Sequence, residues 1–273
     1  MNPWLLVGIG WLFMALVMTG FWLLQKRTEN SGIVDVVWGS GVALLAVFFA
    51  VASDGDVTRR WVVGLLVSLW SIRLSGYILR RVMTMPEDGR YSQLKVEWGE
   101  DAAWKMFRFY QYQAAASVLF AIPMLLAARN QTPWNTMDVI GVCIFCLAIF
   151  GESIADYQLH CFRSIPENQG KVCQQGLWRY SRHPNYFFEW LHWWSYVCLA
   201  LLATWGWLTI LGPLAMLFFI LFKTGIPPTE EQALRSRGEA YRAYQRTTSA
   251  FFPWFPKTQP ELNSSTQPSE PCP

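Results

Sequence analysis

Charge is what this chain has least of. Only 15% of its 273 residues are Asp, Glu, Lys or Arg, against about a quarter in soluble domains. Long stretches carry none, as a hydrocarbon core of roughly 30 Å requires of helices of about 20 residues. Seven such segments stand out, at about 4–24, 32–52, 61–83, 106–127, 135–158, 184–203 and 205–223, the last two parted by a turn at Trp205-Gly206. A soluble core cannot hide seven of them, because backbone polar groups in lipid must be satisfied within each segment. The sequence therefore predicts an all-α, polytopic membrane protein with seven transmembrane helices.

Other absences narrow the reading. No basic residues precede Trp4 and the first apolar stretch is long, which argues against a cleaved signal peptide. No Gly-x-Gly-x-x-Gly or Walker pattern occurs, so a nucleotide would be held by helix ends and arginines rather than by a Rossmann fold. The six cysteines form no framework. Cys143 and Cys146 sit mid-helix without histidine or acidic company, which favours packing over metal or redox chemistry. No internal repeat is evident, no nucleic-acid partner is expected, the net charge of +3 says little by itself, and nothing specifies an oligomeric state. One membrane domain is expected over 1–257, with a substrate half at about 1–127 and a cofactor half at about 135–257. A Pro/Ser/Thr-rich, disordered tail is expected over 258–273.

The basic residues set the orientation. With the N-terminus outside, eighteen of the 22 fall on inner segments, among them Arg80, Arg163, Lys171, Arg179, Arg182 and Arg246. Arg59, Arg60 and Arg129 fall outside, and Arg73 lies within a helix. The C-terminus is then cytoplasmic, and the basic clusters face the compartment that holds phosphorylated cofactors.

Polar residues break the apolar pattern in four places. Asp35 and Trp38 share a face of the second segment, and an acid there needs a partner such as Arg73 or a proton. Trp70, Arg73, Tyr77 and Arg80 or Arg81 form one stripe of the third segment; they line a cavity or, at the arginines, mark the inner interface. Glu152, Asp156, His160 and Arg163 make a second stripe. Carboxylates there are costly unless they face a polar cavity, and Arg163 suits phosphate through its planar fork. The fourth place is the stretch 176–189, with Arg179, Tyr180, Arg182, His183, Asn185 and Glu189 packed before an apolar run. Pro184 fits a first helical turn, whose free amides suit an anion. Further on, Thr229 to Gln232 reads as a capping box. Beyond it, Tyr241, Tyr244 and Arg246 either close over a cytoplasmic ligand or anchor the tail at the headgroups.

These motifs resemble a known family. The half from about Phe145 to Pro256 resembles the C-terminal domain of the steroid 5-alpha-reductase family. The likeness rests on Ala155-Asp-Tyr-Gln-Leu-His-Cys-Phe-Arg163, Gly176-Leu-Trp-Arg-Tyr180, Pro184-Asn-Tyr-Phe-Phe-Glu189 and the tail from Tyr241 to Pro253. Val34-Asp-Val-Val-Trp-Gly39 and Pro86-Glu-Asp-Gly-Arg-Tyr91 make the N-terminal half similar to that of the family's bacterial branch. The resemblance implies a seven-helix membrane fold that binds NADPH from the cytoplasmic side and reduces the conjugated C=C bond of an apolar enone, such as a 3-oxo-Δ4 steroid. It implies the inner membrane of a bacterium as location. By resemblance Asp156, Arg163, Tyr180, Asn185 and Glu189 match cofactor-pocket positions, and Glu152 stands where the animal enzymes have asparagine. The animal enzymes polarise the ketone with a Gln-Glu pair and a tyrosine, and this N-terminal half has no Gln-Glu.

The expected assignments follow. Asp35, Tyr77 and Glu189 are the catalytic candidates. Arg80, Glu152, Asp156, Arg163, Lys171, Tyr180, Arg182, His183, Asn185, Tyr241 and Arg246 are the NADPH candidates. Trp38, Trp70 and Arg73 face an apolar small-molecule substrate, with membrane lipids around the helices and no metal. A rival resemblance exists, since Arg182-His-Pro, Glu230-Glu231 and a later Gly-x-x-Tyr-x-x-Tyr also occur in isoprenylcysteine carboxyl methyltransferases, which use S-adenosylmethionine. A non-enzymatic lipid-binding protein is the third reading and predicts no tight nucleotide binding.

Overall fold

The structure, a computed structural model, describes residues 1–258; the tail expected to be disordered lies, beyond Thr258, outside the described residues. The described residues form nine α-helices and no strand. They are α1 (Pro3–Thr28), α2 (Ile33–Ala52), α3 (Val57–Thr84), α4 (Gly89–Trp98), α5 (Ala102–Ala128), α6 (Thr136–Ser164), α7 (Pro184–Ala200), α8 (Leu211–Phe222) and α9 (Ile226–Thr247). Local chemistry sets several boundaries. The Asn2 side chain accepts from the Trp4 N–H ahead of Pro3, and Lys26 and Arg27 occupy the last turn of α1, where cations oppose the helix dipole. Asp56 caps α3 and Asp88 caps α4, each satisfying an orphan backbone donor.

Six helical stretches are long and apolar enough to cross a membrane, not the seven expected. These are α1, α2, α3, the 89–128 stretch with α5, α6 and the 206–247 stretch with α8. The difference lies at α7. Its 17 residues reach roughly 26 Å at 1.5 Å per residue, short of a full core. The expected turn at Trp205-Gly206 is present, with Trp205 left-handed at φ 65°. Two other expectations change. The amphipathic α4 was not anticipated. Thr229 is no N-cap, because Ile226, Pro227 and Pro228 already form the first turn of α9.

The described chain divides into two compact units, with boundaries inside α6, α7 and α9. The first holds 1–151 and 188–228. Its core is built on α1, α2 and α5 around Met14, Met18, Val37, Leu45, Phe49 and Tyr110. Helices in lipid associate through close packing rather than hydrophobic exclusion, so small residues matter. A Cβ at Gly41 would meet the end of the flexible Met14 side chain, so glycine lets α1 and α2 approach with that side chain in place.

Loops tie both ends of this unit. At one end the Ser31 N–H donates to Glu87 at 2.6 Å and Lys95 Nζ donates to Glu87 at 2.7 Å. At the opposite end of α2, the Asp56 N–H donates to the Asn130 carbonyl at 2.9 Å. Arg59, counted in the sequence as an outer basic residue, is a staple there. It is fully buried, forks onto both carboxylate oxygens of Asp138 at 2.6 and 2.7 Å, and donates to the carbonyls of Asn130, Thr132 and Pro133.

The second unit holds 152–187 and the chain from Thr229 onward. The segment after α9 runs beside residues 180–182. The Arg182 N–H donates to Ser249 O at 2.8 Å, the Trp254 N–H to Tyr180 O at 2.9 Å, and Ser181 Oγ to Phe251 O at 2.9 Å. Tyr244 donates from below to the carbonyls of Trp178 and Ser181. Trp178 Nε1 donates in turn to Ala155 O on α6 at 2.9 Å.

Candidate cofactor and substrate sites

In the second unit a single carboxylate organises the polar cluster. Glu230 Oε1 accepts from Arg182 Nε at 2.7 Å, His183 Nε2 at 3.1 Å and Tyr241 OH at 3.3 Å, and its Oε2 accepts from Gln245 Nε2 at 2.7 Å. Burial pushes the His183 imidazole below its ordinary value, against the opposing pull of Glu230. His183 is therefore neutral at pH 7 and donates through Nε2–H. Arg182 Nη1 donates to the carbonyls of Gln245 and Thr248.

Arg182 also lines a cavity of about 450 Å³, together with Arg246, Lys257 and the rings of Phe252, Trp254 and Phe255. Three cations and three aromatic rings suit a ligand that has both anionic groups and flat rings. The residues present therefore fit a phosphorylated dinucleotide. Elsewhere in this unit, Asn185 Nδ2 on α7 donates to Asp156 Oδ1 on α6 at 3.2 Å. The Glu152–Arg163 stripe and the 176–189 stretch thus meet at a direct hydrogen bond.

The other cofactor candidates spread more widely. Tyr180 packs edge-on to Phe255, with centroids 5.9 Å apart. Glu152 is buried, Arg163 is exposed, and Lys171 is exposed with its carbonyl accepting from Arg237. None of these four lines the cavity. Arg80 is exposed near the end of α3, in the first unit.

In the first unit, Trp70 is fully buried and its Nε1 donates to Glu189 Oε2 at 2.9 Å. Trp38 meets Trp70 edge-on with centroids 6.1 Å apart. His192 stacks on Trp70 at 5.2 Å, and the charge of Arg73 acts on it. The two aromatic substrate candidates and Glu189 are thereby brought together. Along α3 the stripe runs outward: Tyr77 is 53% exposed. Asp35 lies at the loop end of α2, where it accepts from Tyr91 OH at 2.7 Å and pairs with Arg90 at 3.4 Å. Its ion-pair partner is Arg90, not the expected Arg73.

Sequence reasoning passed over Gln245, His192 and Tyr196, and met Tyr91 only within the Pro86–Tyr91 motif. Glu230 was seen only as a motif letter, although Arg182 and His183 required a nearby acceptor. His192 and Tyr196 lie in an aromatic-rich run that reads as membrane belt.

These features define a multi-pass helical membrane protein with polar clusters inside an apolar frame. The chain belongs to the family described as protein of unknown function DUF1295, whose profile matches residues 21–248; that family includes steroid 5-alpha-reductase-like membrane proteins. An uncharacterised protein of the yeast Schizosaccharomyces pombe is 23% identical over 291 residues, covering 92% of this chain and 80% of its own. No solved structure gives a significant match.

Proposed function

We propose that the protein is an NADPH-dependent membrane reductase acting on the C=C bond of an apolar enone, such as a 3-oxo-Δ4 steroid. The observation that carries this reading is the cavity of about 450 Å³ walled by Arg182, Arg246, Lys257 and three aromatic rings. The Asp156–Asn185 hydrogen bond supports it, since both residues belong to the reductase pattern. Bound NADPH would supply a hydride to the β-carbon, a proton from water would go to the α-carbon, and negative charge would develop on the ketone oxygen. That charge needs hydrogen-bond donors in a dry site, where they are worth most. In this reading the chain's C-terminal side faces the cytoplasm, and in a bacterium the membrane is the inner one.

The knot of Arg182, His183 and Glu230 uses residues common to both family resemblances, so it does not separate reductase from methyltransferase. An equilibrium titration does. The full chain in nanodiscs should bind NADPH at least ~10-fold more tightly than NADH, as one added charge-assisted phosphate contact of about 1.5–3 kcal/mol requires. Equal affinities would remove the NADPH preference. Binding of S-adenosylmethionine without NADPH would move the chain to the methyltransferases, and binding of neither would leave a lipid-binding protein.

A further inference from the structure

We infer that the buried face of α7 at His192, Trp193 and Tyr196 binds the single neutral oxygen, hydroxyl or carbonyl, of an otherwise apolar lipid. The inference deepens the reductase reading and rests on it only for calling that lipid a substrate. Glu189, His192, Trp193 and Tyr196 follow i, i+3, i+4 and i+7, one face of a helix. His192, Trp193 and Tyr196 are fully buried. His192 Nδ1 stands 2.6 Å from the Glu189 carbonyl, which can only accept, so Nδ1 carries the hydrogen. The neutral ring then offers a lone pair at Nε2. That atom, Trp193 Nε1 and Tyr196 OH all lack a hydrogen-bond partner.

Well over nine in ten buried backbone groups, and most buried side-chain polar atoms, are paired in folded proteins, and each orphan costs about 1–3 kcal/mol. Trp194 Nε1 and Ser195 Oγ are also unpaired, but His192, Trp193 and Tyr196 share one face, and three orphans on one face imply a ligand that meets them. The walls are aromatic: Trp70 stacks on His192, Phe120 lies 5.0 Å from Trp193, and Phe145 meets His192 edge-on. Two donors and one acceptor match a hydroxyl in full, and a carbonyl takes both donors. A carboxylate fits poorly. Glu189 already sits 3.9 Å from His192 Nδ1, and Arg73 is itself engaged.

The test is displacement of tritiated cholest-4-en-3-one from the full chain in nanodiscs. Competitors are the unlabelled ketone, cholesterol, the oxygen-free hydrocarbon cholest-4-ene and a steroid 3-carboxylate. Ketone or alcohol should compete about tenfold better than the hydrocarbon, the equivalent of one or two net hydrogen bonds, and the carboxylate should compete worst. Tyr196→Phe and Trp193→Phe should each erase most of that preference. Tyr196→Phe should do so without lowering the melting temperature, because it removes an unmet polar group at nearly constant shape, whereas the smaller ring of Trp193→Phe also leaves a cavity that lowers it. No displaceable binding, no oxygen preference in the parent, a preference for the carboxylate, or a preference kept by both variants overturns the site. NADPH oxidation measured on the same samples separates the two ideas. Oxygen preference without oxidation sinks the reductase and leaves the site, whereas oxidation with no oxygen preference sinks the site and leaves the reductase.

Discussion

Arg59–Asp138 in the first unit and Arg182–Glu230 in the second are both largely buried arginine–carboxylate pairs, and they differ in what lies beside them. The first is closed. Its guanidinium forks onto both oxygens of Asp138 and fills its remaining capacity with three carbonyls, at 0% and 1% side-chain exposure. The second is open. Glu230 gathers four donors, and Arg182 forms part of a cavity wall. Burial and ion pairing therefore do not mark function by themselves. Pairing next to space does.

The sharpest way to test this contrast is to break the closed pair. Asp138→Ala strands a buried guanidinium, and removing one member of such a pair costs about 3–5 kcal/mol. Thermal unfolding of the detergent-solubilised protein should show that loss directly. Arg59→Met with Asp138→Leu should recover most of it, because an apolar pair of similar volume carries no unpaid desolvation. Nucleotide binding by the double variant should match the parent. If the double variant folds but no longer binds nucleotide, the closed pair is not merely a staple.

The open pair should respond differently. Glu230→Gln keeps the shape but removes the charge that orients Arg182 and His183. It should cost stability about 1.5–3 kcal/mol, the range for hydrogen bonds to charged groups, and weaken NADPH binding about tenfold or more. Fluorescence titration beside thermal unfolding reads both effects. A large stability loss with unchanged affinity would make this pair a second staple and detach the cavity from function.

The same contrast explains what the sequence made legible. Apolar runs are long-range, redundant signals, so α1, α2, α3, α5 and α7 each agree with a single expected segment to within four residues. α7 was overestimated because Leu201 and Leu202 continue the apolar run after Ala200 ends the helix. Pairing is not periodic, and so it was harder to read. Asp138 lies 79 positions from Arg59 and Glu230 lies 48 from Arg182, separations at which nothing local links the partners. Asp156 and Asn185 were legible because one sits on a polar stripe and the other in a dense polar stretch. His192 and Tyr196 were not, because their neighbours Trp190, Trp193 and Trp194 make the segment look like interface aromatics.

The smallest effect expected concerns Glu87, in the loop between α3 and α4. Burial alone would raise its carboxyl. The hydrogen bonds from Lys95, the Ser31 N–H and Ser92 outweigh that and hold it below the usual carboxylate range. A carboxyl whose folded pKa is depressed contributes stability that is complete above its unfolded value, about 4.3 for Glu. That contribution is lost as pH falls through the lower folded value, because the unfolded state then binds the extra proton first. The parent should therefore lose melting temperature below about pH 4.5, part of it through this one group. Glu87→Gln should start lower at neutral pH and fall less steeply across that window. The loss should be modest beside that of Asp138→Ala, since Lys95 is 30% exposed and its pairing is screened by solvent. Parallel acid profiles for parent and variant would show that the loop is held by its backbone alone.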